Sequence, residues 1–181
     1  LIPSILRALE EQNYTHPTSI QEKAIPLILK NQDVLGSAQT GTGKTAAFAI
    51  PIIQHLANDN KNASGRRRVK SLIVTPTREL AIQIEQVIRD MGTGYKVNAV
   101  YGGRSGSKEK IELTHAPTIL IGTPGRIADH IRRDRITLDG INNLVIDEFD
   151  KSLEIGFEKE MKEIVVSLNT LERKILTSAT N

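Results

Sequence analysis

The 181-residue chain contains no cysteine and no tryptophan, and aromatic residues make up only 3% of it. Without cysteine there are no disulfides, thiolate metal sites, iron–sulfur clusters or thiol nucleophiles. The scarcity of aromatic rings argues against a nucleic-acid site built by stacking bases on an aromatic platform, because such sites need several exposed rings. Contacts to a nucleic-acid backbone remain compatible with this composition.

The sequence also lacks long apolar runs. No stretch reaches the roughly 18–20 apolar residues that a membrane-spanning helix needs, and the N-terminus lacks the segment order of a signal peptide. We therefore expect a cytoplasmic protein with no membrane partner. Hydrophobic residues at 39% and charged residues at 25% are typical of a globular domain. The net charge of +3 permits a polyanionic partner without requiring one.

The four histidines are scattered along the chain, so we interpret them as surface or packing residues and expect no structural metal site. The length fits one domain, residues 1–181. Helical spacing already at Ile5, Leu6 and Leu9, and a last residue directly after a strand, lead us to expect that the chain is part of a longer protein.

Short runs rich in Val, Ile and Leu alternate with segments of helical periodicity. The runs predict buried strands at Asp33–Ser37, Ser71–Thr75, Lys96–Val100, Thr118–Gly122, Asn143–Asp147 and Lys174–Ser178. The periodic segments predict helices at Ser19–Lys30, Lys44–Ala57, Glu79–Met91, Arg126–Arg132 and Glu158–Leu168. The polar stretch Asn58–Lys70 is interpreted as an exposed loop. This alternation predicts an α/β fold with a mostly parallel sheet flanked by helices, and such sheets bind ligands at the carboxyl ends of their strands.

A glycine-rich segment, Ala38–Thr45, follows the first predicted strand and opens a helix. Glycines let the backbone N–H groups turn toward a phosphate, Lys44 can reach the β- and γ-phosphates, and the Thr45 hydroxyl can ligate Mg²⁺. Ala38 stands where the general phosphate-loop pattern has glycine. The placement between strand and helix nevertheless favours a nucleoside triphosphate site over a simple glycine-rich turn with an exposed lysine.

Two adjacent carboxylates, Asp147 and Glu148, end the predicted strand that contains Leu144. Asp147 would hold Mg²⁺, and Glu148 would orient or deprotonate the water that attacks the γ-phosphoryl group. The alternative is a strand that ends in solvated acids. The glycine-rich turn earlier in the chain favours phosphoryl transfer.

Taken in order, these motifs resemble the first RecA-like domain of DEAD-box ATP-dependent RNA helicases. Their counterparts are Pro17–Gln21 for the Q motif, Ala38–Thr45 for motif I, Pro76–Ala81 for motif Ia, Gly102–Gly103 for the glycine doublet, Thr123–Arg126 for motif Ib, Asp147–Asp150 for motif II and Ser178–Thr180 for motif III. The resemblance runs from Tyr14 to Thr180, which is nearly the whole chain.

The resemblance implies a role for each matching residue. Gln21 would pair with adenine and Tyr14 would stack on it, which implies ATP rather than GTP. The phosphate-binding residues would be Thr40, Gly41, Thr42, Gly43, Lys44 and Thr45. Sequence-independent contacts to RNA would come from Arg78, Gly103, Arg104, Thr123, Gly125 and Arg126. A hydroxyl capping the helix at Thr123 is expected as well. Asp150, Ser178 and Thr180 would couple the ATP site to the rest of the protein.

The chain departs from the family pattern in two places. Phe149 replaces the alanine of the family's motif II, so a bulky ring must be housed beside the carboxylates. The sequence also ends just after motif III, so the second RecA-like domain, which supplies arginines to the transition state, is missing. The resemblance therefore implies a monomeric helicase whose ATP- and RNA-binding half is present here and is nearly inactive alone.

Two alternatives to an RNA helicase stay open at this point. A small phosphate-loop kinase would share the triphosphate site, although Glu148 beside Asp147 favours hydrolysis by an activated water. An RNA-binding or protein-docking module would keep the nucleotide only as a structural element, against which Lys44, Thr45 and Glu148 argue.

Overall fold

A computed structural model describes residues 3–11, 16–37, 43–60 and 68–178. The strands are β1 Val34–Ser37, β2 Ser71–Val74, β3 Val97–Val100, β4 Ile119–Gly122, β5 Asn143–Ile146 and β6 Arg173–Ser178. The helices are α1 Pro3–Glu11, α2 Ser19–Leu29, α3 Lys44–Asn60, α4 Arg78–Asp90, α5 Gly106–Thr114, α6 Pro124–Arg132, α7 Phe149–Ile155 and α8 Glu158–Ser167. Within the described part of the chain, no helix is long and apolar enough to cross a bilayer.

All six strands form one parallel sheet in the order β1-β6-β5-β2-β4-β3. The prediction of a parallel α/β sheet is therefore confirmed. The carboxyl ends of all six strands lie along one edge of this sheet. Strands β1, β6 and β5 make one half of that edge, and β2, β4 and β3 make the other.

The predicted strands and helices all form, with small differences at their ends. Helix α3 continues beyond Ala57 to Asn60, so the start of the expected loop Asn58–Lys70 is helical. Val69 near the end of that segment is buried, and residues 61–67 lie outside the described residues. Helices α5 and α7 were not predicted at all.

The sheet separates two layers of apolar packing. Helices α1 to α4 cover one face, where strand residues such as Ile73, Ile121 and Val145 are buried. Helices α5, α6 and α8 cover the other face, against strand residues such as Leu72 and Leu120. Because strands β2, β4 and β5 contribute alternate residues to the two layers, these strands must be apolar on both faces, as their sequences predict.

Strand β3 lies at one edge of the sheet, and arginine side chains occupy its outward carbonyls. Arg89 Nη2 donates to the carbonyl of Val97 at 3.0 Å, and Arg104 Nη1 donates to that of Ala99 at 2.8 Å. Groups of this kind would otherwise be open to pairing with another strand. The two arginines therefore satisfy the carbonyl groups of Val97 and Ala99 and hinder the pairing of another strand with β3.

We predict that Gly122→Ala destabilises the fold, because β4 ends in close contact with α6. A Cβ atom at Gly122 would lie 2.6 Å from Cδ1 of Ile127 and 2.8 Å from Cγ2 of Val100, both buried. The expected loss in free energy of unfolding is about 1–3 kcal/mol, measured by chemical denaturation. A matched control is Gly102→Ala, where a Cβ meets no atom within 4 Å and the change should stay within about 0.5 kcal/mol. Equal effects of the two substitutions would contradict the steric argument.

Candidate functional site

The structure joins the start of α3 to the end of β5 through a buried ion pair. Lys44, the first residue of α3, places Nζ 3.4 Å from Oε1 of Glu148. The two side chains are only 7% and 5% exposed, although 104 residues separate them in sequence. They meet because β1 and β5 both flank β6.

The start of α2 packs on Gly43, the residue before Lys44. Thr18 and Gln21 form a capping box, in which the Gln21 side chain accepts from the Thr18 N–H at 2.9 Å. Gln21 Nε2 also donates to the carbonyl of Gly43 at 3.2 Å. Gly43 has φ +84°, and a Cβ there would lie 2.5 Å from Gln21 Nε2, so glycine is required at this contact.

Both ends of the Gln21 amide are thus engaged with the protein, and Gln21 is buried. Its pairing with adenine stays a prediction. Four other residues predicted to bind the nucleotide lie outside the described residues: Tyr14, Thr40, Gly41 and Thr42.

Asp147, directly after β5, is a buried carboxylate held by two threonines. Its Oδ1 accepts from the Thr177 hydroxyl at 2.5 Å, and its Oδ2 accepts from the Thr75 hydroxyl at 3.4 Å. Burial raises the pKa of Asp147 above its ordinary value, and Glu148 adds to this, whereas the Thr177 hydrogen bond and the charge of Lys44 act in the opposite direction. Burial therefore disfavours the charged form unless a further cation approaches.

Glu148 adopts a left-handed backbone conformation, with φ 50° and ψ 51°. This conformation is costly for a residue with a Cβ and is characteristic of functional sites. The Thr177 hydroxyl accepts from the Glu148 N–H at 2.9 Å, so one side chain fixes both members of the acidic pair. The sharp turn at Glu148 starts α7 and directs the carboxylate toward Lys44.

Thr177 and Thr75 hold Asp147 in the candidate site, and the sequence analysis missed both. Each stands at the end or just beyond the end of a strand next to β5, and that placement is the only signal that could have singled them out. Among the predicted coupling residues, Asp150 lies in the first turn of α7 and Ser178 ends β6. Thr180 lies outside the described residues, and coupling through these three residues stays a prediction.

Phe149 is accommodated without displacing the acidic pair. Its half-buried side chain packs against the core layer under α6 and α8. The neighbouring Glu148 still contacts Lys44, and Asp147 still contacts Thr177. The aromatic ring is therefore directed into the second core layer.

The other half of the sheet edge carries the residues predicted to bind RNA. Arg78 begins α4, and its side chain is 60% exposed. Its guanidinium lies beside Gly103, because a Cβ at Gly103 would be 3.1 Å from Arg78 Nη1. Gly103 has φ +91°, so the loop after β3 depends on glycine there.

Thr123 and Gly125 lie at the start of α6, after β4. Thr123 takes the N-cap position with Pro124 at the first turn, but its hydroxyl makes no capping hydrogen bond, so the expectation of a capping hydroxyl was wrong. With β-region dihedrals and proline next to it, the backbone alone starts the helix. The first turn of α6 thus lies at the same edge of the sheet as Arg78 and Gly103.

Arg104 and Arg126 bind other parts of the protein. Arg104 donates to the carbonyl of Ala99 and, at 2.7 Å, to Glu112 Oε1. Arg126, only 19% exposed, lies with Nε 3.5 Å from Glu109 Oε1 and donates through Nη2 to the carbonyl of Arg104 at 3.2 Å. Contact of either side chain with RNA stays a prediction.

We predict that Asp147→Asn stabilises the fold at neutral pH. Because the pKa of Asp147 is raised in the folded chain, the unfolded chain ionises first, and stability falls as the pH rises through the folded-state pKa. Asparagine cannot ionise, so the variant should have the higher thermal midpoint at pH 7. The difference between the two midpoints should shrink as the pH is lowered toward about 4, the ordinary pKa of aspartate.

Thermal unfolding followed by circular dichroism between these two pH values measures the effect. Asp139→Asn, which removes an exposed carboxylate, is the matched control and should change the midpoint little at any pH. A lower midpoint for Asp147→Asn at pH 7, or a difference that does not vary with pH, would contradict the assignment.

Comparison with known proteins places this geometry in a family. The DEAD/DEAH box helicase family model matches residues 18–181. The chain is 41% identical to the ATP-dependent RNA helicase CshA of Limosilactobacillus reuteri over 99% of its own length and 35% of that protein. It is 43% identical to the ATP-dependent RNA helicase DbpA of Bacillus subtilis, with 97% of the chain and 36% of that protein covered.

Solved structures agree with the sequence relatives. A hypothetical ATP-dependent RNA helicase from Sulfolobus tokodaii superposes with a TM-score of 0.89 at 36% identity, covering 99% of this chain and 51% of that one. A DEAD box protein from Methanococcus jannaschii gives a TM-score of 0.86 at 35% identity, covering 100% and 48%. The chain therefore spans about a third of its curated relatives and about half of these solved chains. With a family match over almost its whole length, the chain belongs to the DEAD/DEAH box helicase family.

Proposed function

We propose that this chain is the ATP- and RNA-binding N-terminal RecA-like domain of a DEAD-box RNA helicase that couples ATP hydrolysis to the separation or remodelling of RNA strands. The observation that carries the proposal is the buried pair of Lys44 and Glu148 beside Asp147, with Lys44 at the start of the helix that follows the glycine-rich segment in sequence. Membership in the family supports the same conclusion.

Lys44 is the group that receives the triphosphate. It lies at the N-terminus of α3, where the helix dipole and free N–H groups favour anions. Lys44 is bound to Glu148 in this structure, so a triphosphate at the turn competes with Glu148 for one ammonium group. Nucleotide binding therefore weakens the hold of Lys44 on Glu148 and makes the carboxylate available for catalysis.

The donor set beside Lys44 suits Mg²⁺. Asp147 offers a carboxylate, and Thr45 offers a hydroxyl in the first turn of α3, and oxygen ligands of this kind are those Mg²⁺ prefers. Asp147 and Thr45 would hold the ion, which would neutralise charge on the phosphates. A bound cation would also favour the ionised form of Asp147, which burial disfavours.

Glu148 is the residue placed to orient or deprotonate the attacking water. Its backbone is fixed by Thr177 and by the first turn of α7, so its carboxylate has a defined direction. A carboxylate with a defined direction, near the phosphates, is what water activation requires. A kinase would instead leave this position to its phosphoryl acceptor.

RNA would bind along the β2-β4-β3 half of the edge, through Arg78, Gly103, Thr123, Gly125 and the nearby arginines. Backbone N–H groups and an exposed guanidinium favour phosphates and carry no base specificity. Adenine contacts of Gln21 and Tyr14, a monomeric state and a cytoplasmic location belong to the same proposal. The partner domain is a second RecA-like domain of the same protein, consistent with the half of each solved chain that this chain leaves uncovered.

Two substitutions in the ion pair should change nucleotide affinity in opposite directions. Lys44→Gln removes the phosphate contact and should weaken binding of a fluorescent ATP analogue with Mg²⁺ by about tenfold or more. Glu148→Gln removes the competitor for Lys44 and should leave the affinity equal or higher. Lys174→Gln, which removes an exposed lysine of β6, is the control and should bind as the parent does. Equal losses for Lys44→Gln and Lys174→Gln would exclude a triphosphate site at Lys44.

The chain alone should hydrolyse ATP very slowly. An arginine supplied by another domain contributes about 10³–10⁵ in rate to phosphoryl transfer, so RNA-stimulated phosphate release should be lower by a comparable factor than in a two-domain protein. In the two-domain protein, Glu148→Gln should lower kcat by about 100-fold or more, whereas Glu154→Gln, an exposed acid in α7, should not.

Three outcomes would contradict this proposal. A chain that matches the two-domain protein in rate would show that no partner domain is needed. Unchanged activity of Glu148→Gln in the two-domain protein would favour a docking module that keeps nucleotide as a structural element. ATP consumption that requires a phosphoryl acceptor would favour a kinase.

A further inference from the structure

Glu109, in α5, is a buried carboxylate that belongs to neither half of the sites described above. Its side chain is fully buried. Oε1 accepts from His130 Nε2 at 2.8 Å and lies 3.5 Å from Arg126 Nε, and Oε2 accepts from the Tyr101 N–H at 3.0 Å. Arg104 Nη1 lies 4.0 Å from the same Oε2.

These donors come from two parts of the chain that the proposed RNA site uses, the loop after β3 and helix α6. Tyr101 and Arg104 belong to the loop after β3 that carries Gly103, whereas Arg126 and His130 lie on α6, the helix that Thr123 starts. Arg126 also donates to the carbonyl of Arg104. The loop after β3 and helix α6 are therefore joined twice, by this hydrogen bond and by the Glu109 carboxylate, which contacts both.

The charged groups around Glu109 compensate it closely. His130 Nδ1 lies 3.4 Å from Arg135 Nη1, an orientation that leaves Nε2 to donate to Glu109. Arg104 is shared with Glu112, at 2.7 Å. Both oxygens of Glu109 therefore receive donors, a pattern that a carboxylate satisfies and a carboxamide satisfies only in part.

A buried, compensated carboxylate of this kind contributes little net stability but fixes geometry strongly. Desolvation offsets most of the Coulombic gain of such a group, whereas removing it leaves buried donors without acceptors. The consequence for Arg126 is specific: its guanidinium is held between Glu109 and the carbonyl of Arg104, in one orientation.

We propose that Glu109 is a positioning residue for RNA binding, which acts by holding Arg126 and thereby setting the loop after β3 against the start of α6. This inference rests on the proposed RNA function of that edge. Glu109 lies outside the recognised motifs, and in this inference it sets the spacing between Gly103 and the first turn of α6.

The test uses the sign of an electrostatic effect. Glu109→Gln removes a negative charge near the proposed RNA site, which by charge alone would favour a polyanion. A positioning role predicts the opposite, a loss of about tenfold in affinity for a fluorescent single-stranded RNA of uniform sequence, similar to the loss of a charged hydrogen bond. Glu163→Gln is the matched control, because it removes a carboxylate that pairs with Arg132 on the same helix α6. Its affinity should stay equal to that of the parent or rise.

A second variant, Arg126→Lys, changes the less buried partner of the contact between Arg126 and Glu109. Lysine keeps the positive charge but cannot bind Glu109 and the Arg104 carbonyl together, so RNA affinity should fall while the slope of affinity against salt stays unchanged. In the doubly substituted chain the two losses should be less than additive, because both remove one arrangement. Affinity for the ATP analogue should stay within about twofold of the parent in each variant, since the nucleotide half of the edge is untouched.

Three results would overturn the inference. They are a folded Glu109→Gln chain that binds RNA as tightly as Glu163→Gln, an Arg126→Lys chain with parental affinity, and fully additive losses in the double variant. Arg78→Gln distinguishes a failure of the positioning role from a failure of the proposed RNA site. It removes an exposed guanidinium far from Glu109 in sequence, and it should weaken RNA binding and reduce the slope of affinity against salt by about one. If the parent chain binds no RNA, or Arg78→Gln has no effect on affinity, the RNA site itself is wrong. If Arg78→Gln weakens binding and Glu109→Gln does not, only the positioning role is wrong.

Discussion

The chemistry proposed for this domain depends on burying Lys44 against Glu148. Burying an ion pair gives little net stability, because desolvation offsets the attraction between the charges. The pair is therefore better explained by what each charge does separately. An ammonium group at a helix N-terminus binds phosphate, and a carboxylate directs water. Because the two groups face each other, each charge has the other as its partner, and neither is left unpaired in a region of low dielectric.

The strand order divides the carboxyl edge of the sheet into two halves, and the Lys44–Glu148 contact lies in one of them. The segments that carry the proposed nucleotide residues follow β1 and β5, with Ser178 at the end of β6 between those strands. The proposed RNA residues follow β2, β4 and β3, so the halves meet where β5 pairs with β2. Hydrogen bonds near the carboxyl ends of these two strands cross that boundary. The Asp147 N–H donates to the carbonyl of Val74 at 2.8 Å, and the Thr75 hydroxyl donates to the Asp147 carboxylate at 3.4 Å. The loop that leads to Arg78 therefore begins in direct contact with the acidic residue of the nucleotide site.

The sequence predicted the features that depend on local pattern. Apolar runs such as Ser71–Thr75 identified the strands. The placement of Lys44, Asp147 and Glu148 after strands predicted that these residues converge, and the structure brings Lys44 into contact with Glu148. Helix α5 escaped prediction because it starts in a segment rich in Gly and Ser and because Glu109, inside it, is a buried acid rather than an apolar residue. The partners of Glu109 depend on the distance between α5 and α6, which no local pattern encodes.

Thr177 shows why such residues matter although no motif contains them. Its hydroxyl donates to Asp147 and accepts from the Glu148 N–H, so it uses both of its hydrogen-bonding roles on neighbouring residues of another strand end. The left-handed conformation of Glu148, which costs of order 1–3 kcal/mol in a residue with a side chain, persists because this hydroxyl and the first turn of α7 over-determine it. The register of β5 against β6 brings Thr177 to that position. The geometry of the proposed catalytic site is thus set by strand pairing, and the motif residues supply the functional groups that the pairing orients.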